Sequence, residues 1–297
     1  MKIFVTGATG FVGSAVVPEL LSAGHEVLGL ARSDAAAQSL VAAGAKAHRG
    51  QLEDLESLRR GAAESDGVIH TGFNHDFSKF KENCELDRKV IETLGAALSP
   101  AGRPLIITSG IGVLPPGGKV TEETRPASPS PNPRAASEEA ARALIERGAR
   151  VSIVRLPPSV HGDGDHGFVP ILIKIAREKK ASAFIGSGAN QWPAVHRLDA
   201  ARVYKLALDK AIPGAYYHAV AEEGIAFREI AEVIGRRLRV PVVGKTPDEA
   251  GAHFTWFAHF AALNVLASSE QTQAKLGWRA TQPGLIADLD RPAYFST

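Results

Sequence analysis

The 297-residue sequence holds one cysteine, Cys84, and aromatic residues make up only 6% of it. A single cysteine excludes an internal disulfide and is typical of a chain that folds in a reducing compartment. Neither sign of charge is in marked excess, because 34 Lys and Arg face 32 Asp and Glu, a formal net charge of +2. No segment concentrates basic residues, so we expect no nucleic-acid partner.

Long hydrophobic runs are also missing. No uninterrupted apolar stretch reaches the roughly 18 residues that a membrane-spanning helix needs. The N-terminus enters its first apolar strand within two residues, which leaves no room for a signal peptide. We therefore expect a cytoplasmic protein with no membrane partner. The spacing of His and Asp matches none of the familiar zinc or calcium patterns, so we expect no metal.

What the sequence does hold is a glycine-rich turn, Thr6-Gly7-Ala8-Thr9-Gly10-Phe11-Val12-Gly13. The turn follows the apolar run Ile3-Phe4-Val5 and opens a helical pattern of Val and Leu. Gly7 permits the tight turn, Gly10 lets the backbone approach a pyrophosphate, and Gly13 allows close packing of helix on strand. The pattern predicts a dinucleotide-binding turn at the N-terminus of a helix.

Apolar strands and helical patterns alternate from this turn to about residue 156. Continuous apolar strands are typical of a parallel sheet that is covered on both faces. The further strands are predicted at 26–31, 46–49, 67–70, 104–108 and 151–156, with helices at 35–43, 55–62, 78–98 and 134–147 and a proline-rich loop at 110–133. This order predicts an α/β fold, a Rossmann-like doubly wound parallel sheet.

The rest of the chain alternates less regularly and predicts a smaller, helix-rich C-terminal cap. Helices are predicted at 168–179, 198–210, 227–238, 247–253, 255–266 and 269–276, and strands at 183–185, 192–195 and 216–220. Ligands of open α/β sheets bind at the carboxyl ends of the strands, where the cap would close over a small-molecule substrate. The expected division is a Rossmann domain of residues 1–160 with 190–225, and a substrate-binding cap of residues 161–189 with 226–297.

Several motifs together resemble an atypical, extended-type short-chain dehydrogenase/reductase, of the superfamily that includes nucleotide-sugar epimerases and dehydratases. The resemblance covers nearly the whole chain. It rests on the glycine-rich turn and on Gly50-Gln51-Leu52-Glu53-Asp54, Val68-Ile69-His70, Thr108-Ser109, Val195-His196-Arg197-Leu198-Asp199-Ala200-Ala201, Ser269-Glu270-Gln271 and Leu276-Gly277-Trp278. It implies a nicotinamide dinucleotide cofactor and a homodimer formed through the helices near 78–98 and 134–147.

The resemblance also exposes departures at the catalytic positions. The superfamily's Tyr-x-x-x-Lys falls on Arg134 and Glu138. An arginine, with a pKa above about 12, cannot exchange protons near neutral pH, although it can polarise a carbonyl or hold an anion. The alternative is a solvent-facing ion pair between Arg134 and Glu138, worth about 0.3–0.5 kcal/mol. The catalytic Ser or Thr falls on Gly110 or, with a shift of one residue, on Ser109, and a helical asparagine falls on Asp87.

A reductase that lacks the tyrosine needs another proton donor, and histidine titrates near neutral pH. The resemblance places the loop 157–167 beside the nicotinamide, with His161 in place of a common tyrosine. His166 on the same loop and His196 across the cleft are lesser candidates. The alternative is that His161 only fills the pocket and an ordered water supplies the proton. The catalytic candidates are His161, Ser109, Arg134 and His196.

Cofactor choice is predicted from the end of the second strand, which reads Leu30-Ala31-Arg32-Ser33. Chains that select NAD usually place an acidic residue there, whereas Arg32 can pair with the 2′-phosphate of NADP and Ser33 can add a hydrogen bond. Asp34 could reach the ribose instead. The predicted cofactor is NADP(H), and the predicted cofactor-binding residues are Gly7, Thr9, Gly10, Phe11, Val12, Gly13, Arg32, Ser33, Gln51, Leu52, Thr71 and Pro157.

These observations predict an NADP-dependent oxidoreductase that acts on a small carbonyl compound or its alcohol by a variant proton-transfer arrangement. Two alternatives stay open. One is a nucleotide-sugar-type epimerase or dehydratase, which would need the same missing acid and base. The other is a non-catalytic NADP-binding sensor, which the loss of the tyrosine and lysine favours.

Overall fold

The computed structural model describes residues 1–296, apart from the side chain of Pro100. Its strands are β1 Lys2–Thr6, β2 Glu26–Ala31, β3 Lys46–Arg49, β4 Gly67–His70, β5 Leu105–Gly110, β6 Lys119–Val120, β7 Val151–Leu156, β8 Ser159–His161, β9 Ser182–Ile185, β10 Gln191–His196, β11 Tyr216–His218, β12 Glu222–Ala226, β13 Val242–Lys245 and β14 Leu266–Ala267. Its α-helices are α1 Gly13–Ser22, α2 Asp34–Ala42, α3 Leu55–Ala63, α4 Phe80–Leu98, α5 Ala136–Glu146, α6 Phe168–Lys179, α7 Arg197–Lys210, α8 Phe227–Leu238, α9 Pro247–Phe254, α10 Ala258–Ala261, α11 Glu270–Leu276 and α12 Leu285–Leu289.

Seven of the strands form one parallel sheet in the order β11-β7-β5-β4-β1-β2-β3. The chain moves outward from β1 to β3, returns to β4 beside β1, and then moves outward on the other side. Side chains of α1, α2 and α7 cover one face of the sheet, and those of α3, α4 and α5 cover the other. The predicted Rossmann-like doubly wound sheet is confirmed, and the carboxyl ends of β1, β4 and β5 meet at the point where the strand order reverses.

The C-terminal part forms a separate apolar core from side chains of α6, α8, α9 and α12. Three small sheets support it, in the orders β12-β10-β8, β13-β9 and β14-β6. The helix predicted over 255–266 is wrong. The segment breaks at Thr255, whose φ is +53°, into a 3-10 turn, the four-residue α10 and the strand β14. Within residues 1–296, no helix has the length and the apolar character needed to cross a membrane.

Candidate active site

The glycine-rich turn joins the carboxyl end of β1 to the start of α1. Gly7 has φ +64°, and a Cβ there would lie 2.7 Å from the Cα of Gly72 in the segment after β4. A Cβ on Gly13 would lie 2.0 Å from the carbonyl oxygen of Gly7. A larger residue at Gly7 would collide with the backbone after β4, and one at Gly13 would push α1 away from the turn. The two glycines therefore fix α1 with its N-terminus directly behind the turn.

The outer edge of the turn is open. Thr9 and Gly10 are exposed, and Phe11 and Val12 are partly exposed. Among the described residues, no side chain caps the start of α1. The N–H groups of Ser14, Ala15 and Val16 donate to the carbonyl oxygens of Gly10 and Val12, whereas those of Phe11 and Val12 in the turn itself have no such partner within residues 1–296 and can donate to an anion. A Cβ on Gly10 would meet only the carbonyl oxygen of Gly7, at 3.1 Å. The turn therefore fits a dinucleotide pyrophosphate, which needs close backbone approach and free N–H donors.

Arg197 adds a cation beside this turn. Its guanidinium lies 4.9 Å from the centroid of the Phe11 ring and donates to Ser14 Oγ at 3.1 Å. It also donates to the carbonyl oxygen of Asp163 at 2.8 Å. His166, on the same loop as Asp163, places its ring 5.6 Å from that of Phe11. Arg197 thus connects the glycine-rich turn to the loop that the sequence assigned to the substrate side.

At the end of β2, Arg32 and Ser33 are exposed. Ser33 Oγ accepts a hydrogen bond from Ala36 N at 3.2 Å and so caps α2, which leaves its hydroxyl proton free to donate. Asp34 forms an ion pair with Arg49 at 2.8 Å, and Arg49 pairs in register with Ala31. The carboxylate that could compete for the ribose therefore has a second arginine beside it, in a surface ion pair whose side chains are 52% and 91% exposed.

The other predicted cofactor residues also lie at the carboxyl ends of parallel strands. Thr71 follows β4 and donates from its hydroxyl to the carbonyl oxygen of Thr6 at 2.8 Å. The Leu52 side chain lies against the segment after β4, because a Cβ on Gly72 would be 3.1 Å from Leu52 Cδ2. Gln51 is exposed, and Pro157 is buried directly after β7.

A buried polar chain runs from β1 to α4. Thr6 Oγ1 lies 2.6 Å from His70 Nδ1 and accepts from Gly72 N at 3.2 Å, while His70 Nε2 lies 2.9 Å from Asp87 Oδ1. The consistent assignment is a Thr6 hydroxyl that donates to Nδ1 and a His70 Nε2–H that donates to Asp87. Burial alone would raise the pKa of the Asp87 carboxyl, but the Arg134 charge and the hydrogen bonds from His70 and Ser137 hold it below its ordinary value.

Arg134 is fixed by this chain. Its guanidinium donates to Asp87 Oδ2 at 2.9 Å and to the carbonyl oxygen of Thr108 at 3.2 Å, and it also contacts Ser137 Oγ. It lies 4.3 Å from the centroid of the Phe73 ring. The alternative of a solvent-facing ion pair between Arg134 and Glu138 is wrong, because Arg134 pairs with Asp87 and Glu138 with Arg155. The structure instead presents a positioned, partly exposed cation at the carboxyl end of β5.

Glu138 has a different partner. Arg155 donates two hydrogen bonds of 2.8 Å to the Glu138 carboxylate, from Nε to Oε1 and from Nη2 to Oε2. Both side chains are fully buried. Ser109 Oγ donates to Glu138 Oε1 at 2.7 Å. His218 Nε2 lies 3.2 Å from Arg155 NH1, and burial followed by the Arg155 charge lowers the pKa of His218 to about 3. The Glu138 carboxylate is thus fully occupied and cannot act in place of a mobile lysine.

His161 and His196 lie together at the end of paired strands, with ring centroids 5.3 Å apart. His161 is 1% exposed; its Nδ1 lies 2.8 Å from Asp288 Oδ2, and its Nε2 has no partner among the described residues. Burial opposes ionisation of Asp288, but the hydrogen bond and charge of His161 bring the pKa of that carboxyl below its ordinary value. Burial and then His161 lower the pKa of His196. His161 is thus an oriented imidazole with one ring nitrogen free.

Sequence reasoning missed several residues around these groups. Asp288 and Tyr294 come from the C-terminal segment, and the Tyr294 hydroxyl donates to Asp165 Oδ2 at 3.1 Å. Burial raises the pKa of Asp165 to about 6. Phe73 lies against Arg134, and Trp256 stacks on Phe77 from the segment predicted as a helix. Each is isolated in sequence from the motifs, so no local spacing identifies it.

The sequence is similar to those of known proteins along nearly its whole length. The model of the NAD dependent epimerase/dehydratase family matches residues 3–219. An uncharacterized protein of Schizosaccharomyces pombe is 50% identical over 295 residues, 99% of this chain and 100% of its own length. A 2-alkyl-3-oxoalkanoate reductase of Stenotrophomonas maltophilia is 28% identical over 260 residues, 82% of this chain and 78% of its own.

Solved structures share the architecture. The dTDP-glucose 4,6-dehydratase of Streptomyces venezuelae, solved with NAD and TYD bound, has a TM-score of 0.79 over 99% of this chain and 97% of its own. Its sequence identity is 21%, so the likeness concerns the fold.

Proposed function

Because the chain belongs to the NAD dependent epimerase/dehydratase family, we propose that it is an NADP-dependent oxidoreductase that reduces a small carbonyl compound, or oxidises the matching alcohol. The observation that carries the proposal is Arg134, a guanidinium fixed by Asp87 and the Thr108 carbonyl at the carboxyl end of β5. A fixed cation there can polarise a carbonyl and stabilise the alkoxide that forms from it. The 2-alkyl-3-oxoalkanoate reductase of Stenotrophomonas maltophilia is named for reduction of a keto group, which supports the same chemistry.

The nicotinamide cofactor, when bound, supplies or accepts the hydride. The glycine-rich turn and the N-terminus of α1 hold the pyrophosphate, and Arg197 beside Phe11 adds positive charge there. Arg32 and Ser33 bind the 2′-phosphate. Arg49 supports that choice by holding Asp34, so that its carboxylate does not repel the phosphate.

The proton that completes the reduction needs a group other than Arg134. We assign it to His161, whose Nδ1–H donates to Asp288 and whose Nε2 has no protein partner among the described residues. In the reduction a proton carried on Nε2 passes to the substrate oxygen, while the Nδ1–H bond to Asp288 is kept; in the reverse reaction Nε2 takes that proton back. An imidazole oriented by a carboxylate is the usual arrangement for proton transfer to a reacting oxygen. His196, beside it, and Ser109 are the further candidates in this proposal.

Assembly and domain division belong to the same proposal. Residues 1–160 with 190–225 would bind the cofactor and residues 161–189 with 226–297 the substrate. The apolar cores cross this division, because Trp192 and Ala194 belong to the core of the cap and Leu276 and Trp278 to the core that includes α1 and α7. We also propose a homodimer through α4 and α5 and a cytoplasmic location. Light scattering of the purified chain tests the dimer, which a monomeric mass would contradict.

A second candidate is a nucleotide-sugar epimerase or dehydratase, favoured by the fold that the chain shares with a dTDP-glucose dehydratase. A non-catalytic sensor is the third candidate. It is favoured by Glu138, which stands at the position of the superfamily's lysine and is fully paired with Arg155. An assay of NADPH oxidation with aldehydes, ketones and keto esters separates them. Net oxidation supports the reductase, sugar interconversion without net oxidation supports the epimerase, and tight NADPH binding without turnover supports the sensor.

A further inference from the structure

Aromatic side chains form two facing walls above Arg134. The first wall is the segment after β4, with Phe73, His75, Phe77 and Phe80. Phe73 lies under the Arg134 guanidinium and 5.2 Å from the ring of His75, and Phe77 lies 5.8 Å from Phe80. This wall therefore runs without a break from the fixed cation to the surface.

The second wall comes from the cap, with Phe168 at the start of α6 and Trp256, Phe257 and Phe260 in the broken segment after α9. Phe168 lies 4.8 Å from Phe260 and 5.1 Å from Phe257. It follows the loop of His166, which contacts Phe11 of the glycine-rich turn. The second wall is thus also tied to the cofactor side of the cleft.

The two walls are in direct contact through Phe77. Phe77 and Trp256 are stacked, with ring centroids 5.2 Å apart and planes 28° from parallel, and Phe77 also meets Phe260 at 5.4 Å. Trp256 is nevertheless 54% exposed, and it is the only aromatic residue among the exposed large apolar side chains of the described residues. An aromatic ring that keeps so much of its surface in water while stacked on one neighbour offers apolar surface to a further planar group.

Next to Phe168 of the second wall lies a buried polar atom without a partner in the described part of the chain, on Trp192. Trp192 is fully buried between Phe168 and Phe227, with ring centroids at 5.9 and 4.9 Å. Its indole N–H has no acceptor among the described residues. Buried N–H groups usually find an acceptor, so this donor is an independent indication of an oxygen-bearing ligand or an ordered water beside the rings.

We propose that these walls bind a substrate with a planar apolar ring joined to its carbonyl, rather than a linear chain or a nucleotide-sugar. The proposal rests on the reductase function proposed above. In the reaction the hydride adds to the carbonyl carbon and a proton to its oxygen, so the carbon–oxygen π bond is lost and NADPH is oxidised. Aromatic rings prefer offset or edge-on contacts with other rings, which the walls provide and an alkyl chain does not use.

The test compares two unsaturated aldehydes with nine carbons each, cinnamaldehyde and trans-2-nonenal. A merely apolar cleft would favour nonenal, because it has the more hydrophobic chain. The proposal predicts a kcat/KM for cinnamaldehyde at least about tenfold that for nonenal, the ratio that corresponds to 1.4 kcal/mol. Trp256→Ala and Phe77→Ala should each reduce this ratio about fivefold, whereas Trp256→Phe should keep it within about twofold.

Ile212→Ala is the matched control, because Ile212 is an apolar side chain that is 41% exposed after α7, outside the walls. It should leave the ratio unchanged. Equal or better use of nonenal, or a ratio that survives both alanine variants, would overturn the ring proposal and leave the reductase standing.

Direct binding separates this proposal from the function on which it rests. If no carbonyl is turned over, the reductase function fails, and calorimetric titration of cinnamyl alcohol into the complex with NADP⁺ decides the ring site alone. Binding that weakens at least about fivefold in Trp256→Ala supports the ring site. Absence of binding, or equal binding by both proteins, overturns it.

Discussion

Glu138 and Arg155 form a fully buried ion pair with two parallel hydrogen bonds of 2.8 Å, one to each carboxylate oxygen. Removal of one partner leaves the other charge buried and unpaired, which costs about 3–5 kcal/mol. We therefore expect Glu138→Gln to lower the free energy of unfolding by about that amount, measured by urea denaturation. Glu146→Gln is the control on the exposed side of the same helix and should change stability by less than about 0.5 kcal/mol.

The same pair predicts that the superfamily's lysine cannot simply be restored. Glu138→Lys would place a second cation against Arg155 and remove the acceptor of Ser109. We expect a chain that folds poorly and gains no reductase activity, judged from its thermal unfolding and NADPH oxidation. A stable and more active Glu138→Lys protein would show that the ion pair does not explain the departure.

Arg32 and Arg49 together should set cofactor choice. We expect NADP(H) to bind at least about tenfold more tightly than NAD(H), and Arg32→Ala to remove that preference, because the 2′-phosphate loses its cation. Arg49→Ala should reduce the preference about threefold, since Asp34 is then free to approach the phosphate. Lys46→Ala, on the same strand as Arg49, is the control for loss of one positive charge. Calorimetry that shows equal or tighter NAD(H) binding by the unaltered protein would refute the assignment.

His161 should be required for turnover but not for cofactor binding. We expect His161→Phe to lose on the order of 10²-fold in kcat while the Kd for NADPH is retained, the usual size of a general-acid contribution. Asp288→Asn should lower kcat less, because the imidazole remains without its charged partner. His25→Phe is the control, as His25 precedes β2 at the opposite end of the sheet. If kcat in His161→Phe stays within about threefold, the donor is His196, Ser109 or bound water.

His218 predicts a pH dependence of stability. Its pKa is about 3 in the folded protein, below the ordinary value of 6.5, because burial and Arg155 oppose its protonation. The unfolded chain then binds more protons, so the contribution of His218 is full above pH 6.5 and is lost as the pH falls towards 3. His218→Gln can keep both hydrogen bonds without titrating. Between pH 7 and 4.5 the unaltered protein should lose about 2 kcal/mol more unfolding free energy than His218→Gln. If urea denaturation shows the same loss of unfolding free energy between pH 7 and 4.5 in both proteins, this prediction is wrong.

Local patterns were sufficient for most of the scaffold. The predicted bounds of β2, β7, α6 and α8 agree with the structure because apolar residues repeat there with one period and Gly, Pro or polar residues end the pattern. The helix predicted after α9, over 255–266, is wrong. Its apolar residues have helical spacing, but the left-handed backbone at Thr255 breaks the helix and turns Trp256 towards the first wall.

The chemistry of the site was harder to predict than the scaffold. His161 was selected from a motif, but its partner Asp288 lies 127 positions away, and Glu138 reaches Arg155 on a different element. None of the four tyrosines has a lysine four residues later, so the missing motif was visible in the sequence. What occupies its place depends on long-range packing, which spacing along the chain does not encode.

The most direct test of the account is transfer of deuterium from the reduced nicotinamide of labelled NADPH to a carbonyl carbon, followed by mass spectrometry of the product. With cinnamaldehyde, we expect cinnamyl alcohol that carries one deuterium, formed in equal amount with NADP⁺. A protein that binds labelled NADPH but transfers no deuterium to any aldehyde, ketone or keto ester would contradict the proposed function.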